Sequence, residues 1–176
     1  VPELLKEFKE VKWVYIISET IAKEFSKEYP NVSFFAGADG LEIITKIADY
    51  DMCVDALVGF AGMVPAVRSL ERNKILCLAN KEALVTGGTL IKNLLKQGKG
   101  RLYPIDSEHV ALAKCLAKCD RKDVKRLIIT ASGGALRNVP LEKLNDMKAA
   151  DALKHPTWRM GNKITIDCAT MMNKGF

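Results

Sequence analysis

An α/β fold built on a doubly wound parallel sheet is what this sequence predicts, and three observations carry the prediction. Short apolar runs alternate with stretches of helical periodicity through the first half of the chain. The runs are nearly unbroken, as in MCVDAL at residues 52–57, which is the pattern of parallel strands covered on both faces rather than of a sheet with one wet side. Finally, 176 residues with 48% hydrophobic and 27% charged content are enough for a substantial buried core.

Taken in order, the chain opens within a helix (VPELL), and residues 11–17 read as a strand, 19–27 as a helix, 32–35 as a strand and 40–47 as a helix. The apolar run at 52–57 is a strand ending at Gly59, followed by a helix over 61–72 and a buried strand at Ile75–Leu78. This is βαβ order, which right-handed crossovers wind into one sheet. Gly87-Gly88 and the QGKG at 97–100 bracket a short helix and mark the expected hinge, because glycines loosen a join. Residues 1–100 are thus expected to form a first module and 101–176 a second. The second opens with a strand at 101–105, then a helix on which Leu112, Cys115, Leu116 and Cys119 recur at helical spacing. An apolar strand is expected at 127–129, a loop from His155 to Gly161, and helix beyond it.

Composition excludes several classes of function. No apolar stretch approaches the twenty residues of a membrane span, and the amino end lacks the basic-then-apolar layout of a secretion signal. The five cysteines have no CxxC spacing and apolar neighbours, which predicts reduced, buried thiols and an intracellular home. Cys115, Cys119 and His109 allow a zinc site, but no second ligand pair follows, and core packing is the expected role of the thiols. The net charge of +6 favours anionic partners. Basic residues are dense between Lys92 and Arg126, yet only Tyr103 is interleaved with them, so a stacking platform for single-stranded nucleic acid is missing and a solvated helical face is expected.

Four stretches carry chemistry. In LYPIDSEH (102–109) an apolar strand gives way to Asp106, Ser107, Glu108 and His109 at the carboxyl end where open α/β sheets bind ligands. In extended backbone Asp106 and Glu108 face the same way and can grip one divalent cation through hard oxygens; the alternative is that Asp106 or Ser107 caps a helix and Glu108 favours its dipole. LANKEALVTGG (78–88) presents Asn80, Lys81 and Glu82 where a strand becomes a helix, either at a ligand edge or as a cap with a surface ion pair. The strand-to-turn sequence LIITASGG (127–134) offers glycine N–H groups and the Ser132 hydroxyl to an oxyanion, or forms a plain turn. HPTWRMGNKITIDCATMMNKG (155–175) begins as a Pro/Gly-punctuated loop suited to closing over a substrate and continues as a helix bearing Cys168, Asn173 and Lys174. A GxGxxG dinucleotide fingerprint is absent from the chain, so residue patterns alone leave nucleotide binding undecided.

These four blocks, in this order, closely resemble the 1-deoxy-D-xylulose 5-phosphate reductoisomerase family, NADPH-dependent enzymes of the methylerythritol phosphate route to isoprenoids. The resemblance covers nearly the whole chain. It implies a Rossmann-like doubly wound parallel sheet lacking its first βα unit, followed by the start of an α+β catalytic domain. It implies metal ligation by Asp106 and Glu108 with Mg²⁺ or Mn²⁺, and Co²⁺ as a further option. Lys81, Ser107 and Glu108 are implied to meet substrate, and Asn80, Glu82 and Gly161 to lie against NADPH. Ser132, His155, Cys168, Asn173 and Lys174 are implied as contacts to substrate phosphate and hydroxyls, with Lys81, Asp106, Glu108 and His155 as the catalytic set. Trp158 and Met160 would belong to a closing flap. The implied reaction isomerises a ketose phosphate and reduces the aldehyde formed to 2-C-methyl-D-erythritol 4-phosphate. The competing reading is a non-catalytic Rossmann-like module that binds an anion or nucleotide.

The chain departs from the family pattern in three places. A glycine-rich loop of the form GSTGSIG is expected before Val1, and a glutamate completing the metal site is expected after Phe176, so the chain is expected to be an internal fragment. Cys168 stands where the family usually has a serine. A sugar-phosphate substrate, no nucleic acid or membrane partner, and a homodimer when intact are the partners implied. The expected location is the bacterial cytoplasm, with a plastid as the alternative.

Overall fold

The computed structural model describes residues 1–176 and divides them into two compact units, Val1–Ile105 and Asp106–Phe176. The first unit repeats strand and helix as its periodicity predicts: α1 (Pro2–Glu7), β1 (Trp13–Ile16), α2 (Glu19–Glu28), β2 (Ser33–Ala36), α3 (Gly37–Ile47), β3 (Met52–Asp55), α4 (Met63–Glu71), β4 (Ile75–Leu78), α5 (Glu82–Lys96) and β5 (Arg101–Pro104). Every strand pairing is parallel. β1 pairs with β2, and β3, β4 and β5 form a second sheet in that order, so the strands fall into two sheets rather than one. The boundary comes after Ile105 and not at Gly100, because β5 is zipped to β4 from Ile75 opposite Arg101 to Leu78 opposite Pro104.

The core lies where one face of β4 packs against α4 and α5. Ala66, Val67 and Leu70 of α4, Leu76 and Leu78 of β4, and Ala83 and Ile91 of α5 form one buried cluster. Complete burial of a leucine contributes roughly 1.5–3 kcal/mol, so Leu70, Leu76 and Leu78 dominate the stability of this unit. Gly87 shows why the expected hinge at Gly87-Gly88 does not form. α5 runs unbroken through both glycines, and a Cβ on Gly87 would come within 2.6 Å of Met63 Cε. The glycine is there for close approach of α5 to the start of α4. At 97–100, by contrast, Gly98 and Gly100 take positive φ and end the helix as expected.

In the second unit α6 (Ser107–Leu116) is followed by largely irregular chain with two 3₁₀ turns, then α7 (Ala149–Ala152), α8 (Asn162–Ala169) and α9 (Met172–Gly175). The strand expected at 127–129 is not formed. Leu127, Ile128 and Ile129 are exposed and hydrogen-bond no neighbouring strand, since an apolar run becomes a strand only where a ladder partner is within reach. The helix expected after Gly161 is broken at Met171, which takes left-handed backbone (φ 63°), so α8 and α9 point differently. All five cysteines are free, but Cys115 and Cys119 are exposed, contrary to the expectation of buried thiols. α6 ends at Leu116 before Cys119, and it has no buried residue. No helix is long and apolar enough to cross a membrane.

One buried charge in the first unit has a pH signature. Asp55 closes β3 with 2% exposure; its Oδ1 accepts from Leu57 N–H at 3.2 Å, and Oδ2 has no hydrogen-bond partner. Burial raises its pKa from 3.8 to about 6, against the lowering effect of the Leu57 N–H. The folded state therefore holds this proton up to about pH 6 whereas the unfolded chain releases it near 3.8, and stability falls as pH rises through that window. Asp55→Asn removes the ionisation while keeping an acceptor for Leu57. It is expected to gain about 3 kcal/mol over the parent at pH 7.5 and well under about 1 kcal/mol at pH 4, measured by urea unfolding of both proteins at the two values. An equal difference at both pH values would refute it.

Candidate functional site

Each unit carries part of the constellation. In the first, Asn80, Lys81 and Glu82 stand between β4 and α5, at the carboxyl end of the central strand of its sheet. Asn80 is 2% exposed and its amide is fully used. Nδ2 donates to the carbonyls of Leu57 (2.6 Å) and Gly59 (2.8 Å), and Oδ1 accepts from Ala83 N–H at 2.7 Å. It clasps the loop after β3 to the start of α5. The clasp is tight enough that a Cβ on Gly62 would lie 2.5 Å from Asn80 Nδ2 and 2.9 Å from Asp55 Oδ1. Lys81 is buried at the N-cap of α5, and Glu82 opens the helix where its dipole favours an acid. The cap offered as the alternative reading of residues 80–82 is thus present, in the bond from Ala83 N–H to Asn80 Oδ1.

In the second unit Asp106 is the N-cap of α6, with Oδ1 accepting from His109 N–H at 3.3 Å and lying 3.7 Å from His109 Nδ1. Ser107 and Glu108 already belong to the helix. The premise that Asp106 and Glu108 share an extended backbone is therefore corrected: the helix begins at Ser107, because Asp106 supplies the cap that starts it. Glu108 instead reaches across the unit. Its Oε1 accepts from Lys174 Nζ at 2.7 Å, with the two side chains 16% and 15% exposed. No group of three or more His, Cys, Asp or Glu side chains converges as a metal site. The hard oxygens of Asp106 and Glu108 suit Mg²⁺ or Mn²⁺, and Glu108 already holds a cation, the ammonium of Lys174. The two carboxylates fit such an ion in kind.

The Ser-Gly-Gly turn, the histidine loop and α8 meet in the same unit. His155 Nδ1 accepts from the N–H groups of Thr157 (3.2 Å) and Trp158 (2.9 Å). In the neutral ring the proton then sits on Nε2, which donates to Ser132 Oγ at 3.2 Å. Ser132 Oγ also accepts from Gly134 N–H at 3.3 Å. With both lone pairs engaged, its hydroxyl proton is left to point at an acceptor such as a phosphate oxygen. The histidine is a donor to the serine here, not its base, so this is an anion-binding pair and not a nucleophile–base pair. Gly134 has φ 61°, and a Cβ there would lie 2.5 Å from Ala169 N, which seats the turn against the end of α8. Next to it Cys168 is buried, and its Sγ accepts from Asn173 Nδ2 at 3.3 Å.

The remaining residues stand apart from this cluster. Trp158 is 64% exposed, and with Met160 and His155 it lines an open cavity of about 370 Å³ formed by the 153–160 loop and Thr165. Gly161 is the N-cap of α8, with open space where a Cβ would go. Ser107 and Glu108 line a smaller apolar cavity with Cys115 and the 128–130 segment.

Parallel strands with crossover helices and polar residues at the strand ends place the chain in the Rossmann-like α/β class. Comparison narrows this. A family model described as 1-deoxy-D-xylulose 5-phosphate reductoisomerase matches residues 1–88, and one described as the C-terminal domain of that reductoisomerase matches residues 102–176. The chain belongs to the 1-deoxy-D-xylulose 5-phosphate reductoisomerase family. It is 44% identical over 178 residues to that reductoisomerase of Geobacter metallireducens, covering 98% of this chain and 46% of the relative. It is 49% identical over 146 residues to that of Thermoanaerobacter pseudethanolicus, covering 83% and 38%. A crystal structure of DOX-P reductoisomerase in complex with NADPH, fosmidomycin and magnesium superposes with a TM-score of 0.84 at 33% identity, over 98% of this chain and 45% of that one. The Zymomonas mobilis reductoisomerase in complex with NADPH gives 0.78 at 34% identity, over 93% and 42%. The chain thus spans less than half the length of these relatives.

Proposed function

We propose that this chain forms part of an NADP-dependent reductoisomerase that converts 1-deoxy-D-xylulose 5-phosphate to 2-C-methyl-D-erythritol 4-phosphate in the cytoplasm of a bacterial cell. The observation that carries the reading is the convergence of Ser132, Gly134, His155, Cys168 and Asn173 in one unit with the Lys174–Glu108 pair. Ser132 aims a hydroxyl proton at an oxyanion, and Lys174 brings the positive charge that a sugar phosphate needs. Structural relatives bound to NADPH and magnesium support these two as the cofactors; Asn80, Glu82 and Gly161 are our candidates for the nucleotide, and Asp106 and Glu108 for the cation. When bound, NADPH supplies a hydride and the divalent cation supplies Lewis acidity at the substrate oxygens. Lys81 then places its ammonium, and Ser107 its hydroxyl, at the substrate's oxygens. His155 orients Ser132, while Trp158 and Met160 cover the substrate against water.

A full-length protein carrying this sequence, given 1-deoxy-D-xylulose 5-phosphate, NADPH and Mn²⁺, is the test. NADPH oxidation coupled to formation of the branched erythritol phosphate, identified by NMR, is the expected outcome. Binding of NADPH or phosphate without turnover would favour the non-catalytic module instead.

Cys168 gives a finer check. A thiol donates weakly, and this one already accepts from Asn173, so a hydroxyl at the same position would serve a phosphate better. In the full-length protein Cys168→Ser is expected to lower the KM for the sugar phosphate about tenfold, the worth of one hydrogen bond to a charged group. An unchanged or raised KM would place the thiol away from the phosphate.

A further inference from the structure

The contact between Lys174 and Glu108 joins two residues to which the proposed function gives different partners, the substrate's anion and the divalent cation. They are 66 residues apart in sequence, and their 2.7 Å hydrogen bond is largely shielded from water. Lys174 is carried there by the left-handed turn at Met171 that starts α9, and its neighbour Asn173 is anchored by the bond to Cys168. Side-chain entropy makes holding a lysine in one geometry costly, so a half-buried pair of this kind marks a carboxylate that needs a counter-ion.

We propose that Lys174 is the resident counter-ion of Glu108 and that it exchanges with the divalent cation, so that cation binding and oxyanion binding are coupled through this one side chain. The inference rests on the reading of Glu108 as a cation ligand. A divalent ion and an ammonium repel one another strongly when they share one carboxylate in a poorly solvated site. Arrival of the cation at Glu108 therefore turns Lys174 out of the pair and frees its ammonium for an anion. The converse holds by linkage: an oxyanion that draws Lys174 away raises the cation affinity of Glu108 by the same factor. Cation and anionic substrate each make the site ready for the other, and Lys174 and Glu108 compensate one another when both are missing.

The probes are Mn²⁺, followed by electron paramagnetic resonance on the full-length protein carrying this sequence, and sulfate at constant ionic strength. Three results are expected. Lys174→Met tightens Mn²⁺ binding at least about fivefold, the lower end of typical site-to-site coupling. Lys174→Arg, which keeps the charge, does not. Sulfate tightens Mn²⁺ binding several-fold in the parent chain and not in Lys174→Met. Unchanged or weaker Mn²⁺ binding in Lys174→Met overturns the exchange, as does a parent chain in which sulfate has no effect, a measurement that needs no variant to fold. Glu108→Gln separates the two failures. If Glu108→Gln binds Mn²⁺ as the parent does, or the parent binds none, the assignment of Glu108 as a cation ligand falls, and the exchange with it. Loss of Mn²⁺ in Glu108→Gln with no change in Lys174→Met sinks the exchange alone.

Discussion

Purified alone and given NADPH, 1-deoxy-D-xylulose 5-phosphate and Mn²⁺, the 176-residue chain is expected to oxidise NADPH at the background rate. Three physical shortfalls act together. The chain has no glycine-rich fingerprint to let backbone N–H groups approach a pyrophosphate at a helix amino end, and that contact supplies much of a dinucleotide's affinity. The hard-oxygen donors proposed for a divalent ion are Asp106 and Glu108, and one of these is paired with Lys174. Two protein oxygens hold such an ion weakly and with loose geometry. The loop bearing His155 and Trp158 is open, so water has access to any substrate lying against it. Loss of one catalytic contact costs two to three powers of ten, and losing cofactor affinity, metal geometry and closure together takes turnover below detection. The check is the NADPH assay run beside a protein extended to the length of the relatives. Turnover of the 176-residue chain comparable to that of the longer protein would sink the expectation.

Asn80→Ala is expected to be the most damaging single change in the first unit, through stability before any effect on binding. The substitution removes both donors and the acceptor of a 2%-exposed amide at once. It leaves the carbonyls of Leu57 and Gly59 and the N–H of Ala83 without the partners they have now. A buried polar group stripped of its partner costs about 1–3 kcal/mol, and water can repair part of this, so a net loss of about 3–4 kcal/mol follows. For a unit of this size that corresponds to a fall in Tm of roughly 15 °C or more. Differential scanning calorimetry measures it directly. A fall of less than about 5 °C would mean that the loop after β3 does not depend on this clasp. Asn80→Asp keeps the acceptor for Ala83 but sets a carboxylate against two carbonyl oxygens, and it is expected to do no better than alanine.

Periodicity and residue order already specify a good deal of this protein. The apolar runs at β3 and β4 and the helical spacing around them make parallel strands with crossover helices legible, but the burial on two faces that such runs imply is not found, since Met52 and Val54 of β3 are exposed. The four polar stretches were legible for a related reason: each follows or approaches a boundary between elements, where side chains are presented to ligands. Local pattern fails where a distant neighbour decides. Gly87-Gly88 looks like a hinge until Met63 is seen against it. The run at 127–129 has every property of a strand except a partner to pair with. Asp106 has the chemistry of a metal ligand and of a helix cap in equal measure, and the cap appears only once α6 is built from Ser107 onward. Spacing along the chain likewise says nothing of a histidine's tautomer, which two backbone N–H groups set at His155, or of the pairing of Lys174 with Glu108. Hydrophobic order along a chain sets which segments must be buried, but charges and hydrogen-bonding groups find their partners through space, and only the folded path brings Lys174 to Glu108 across 66 residues of sequence.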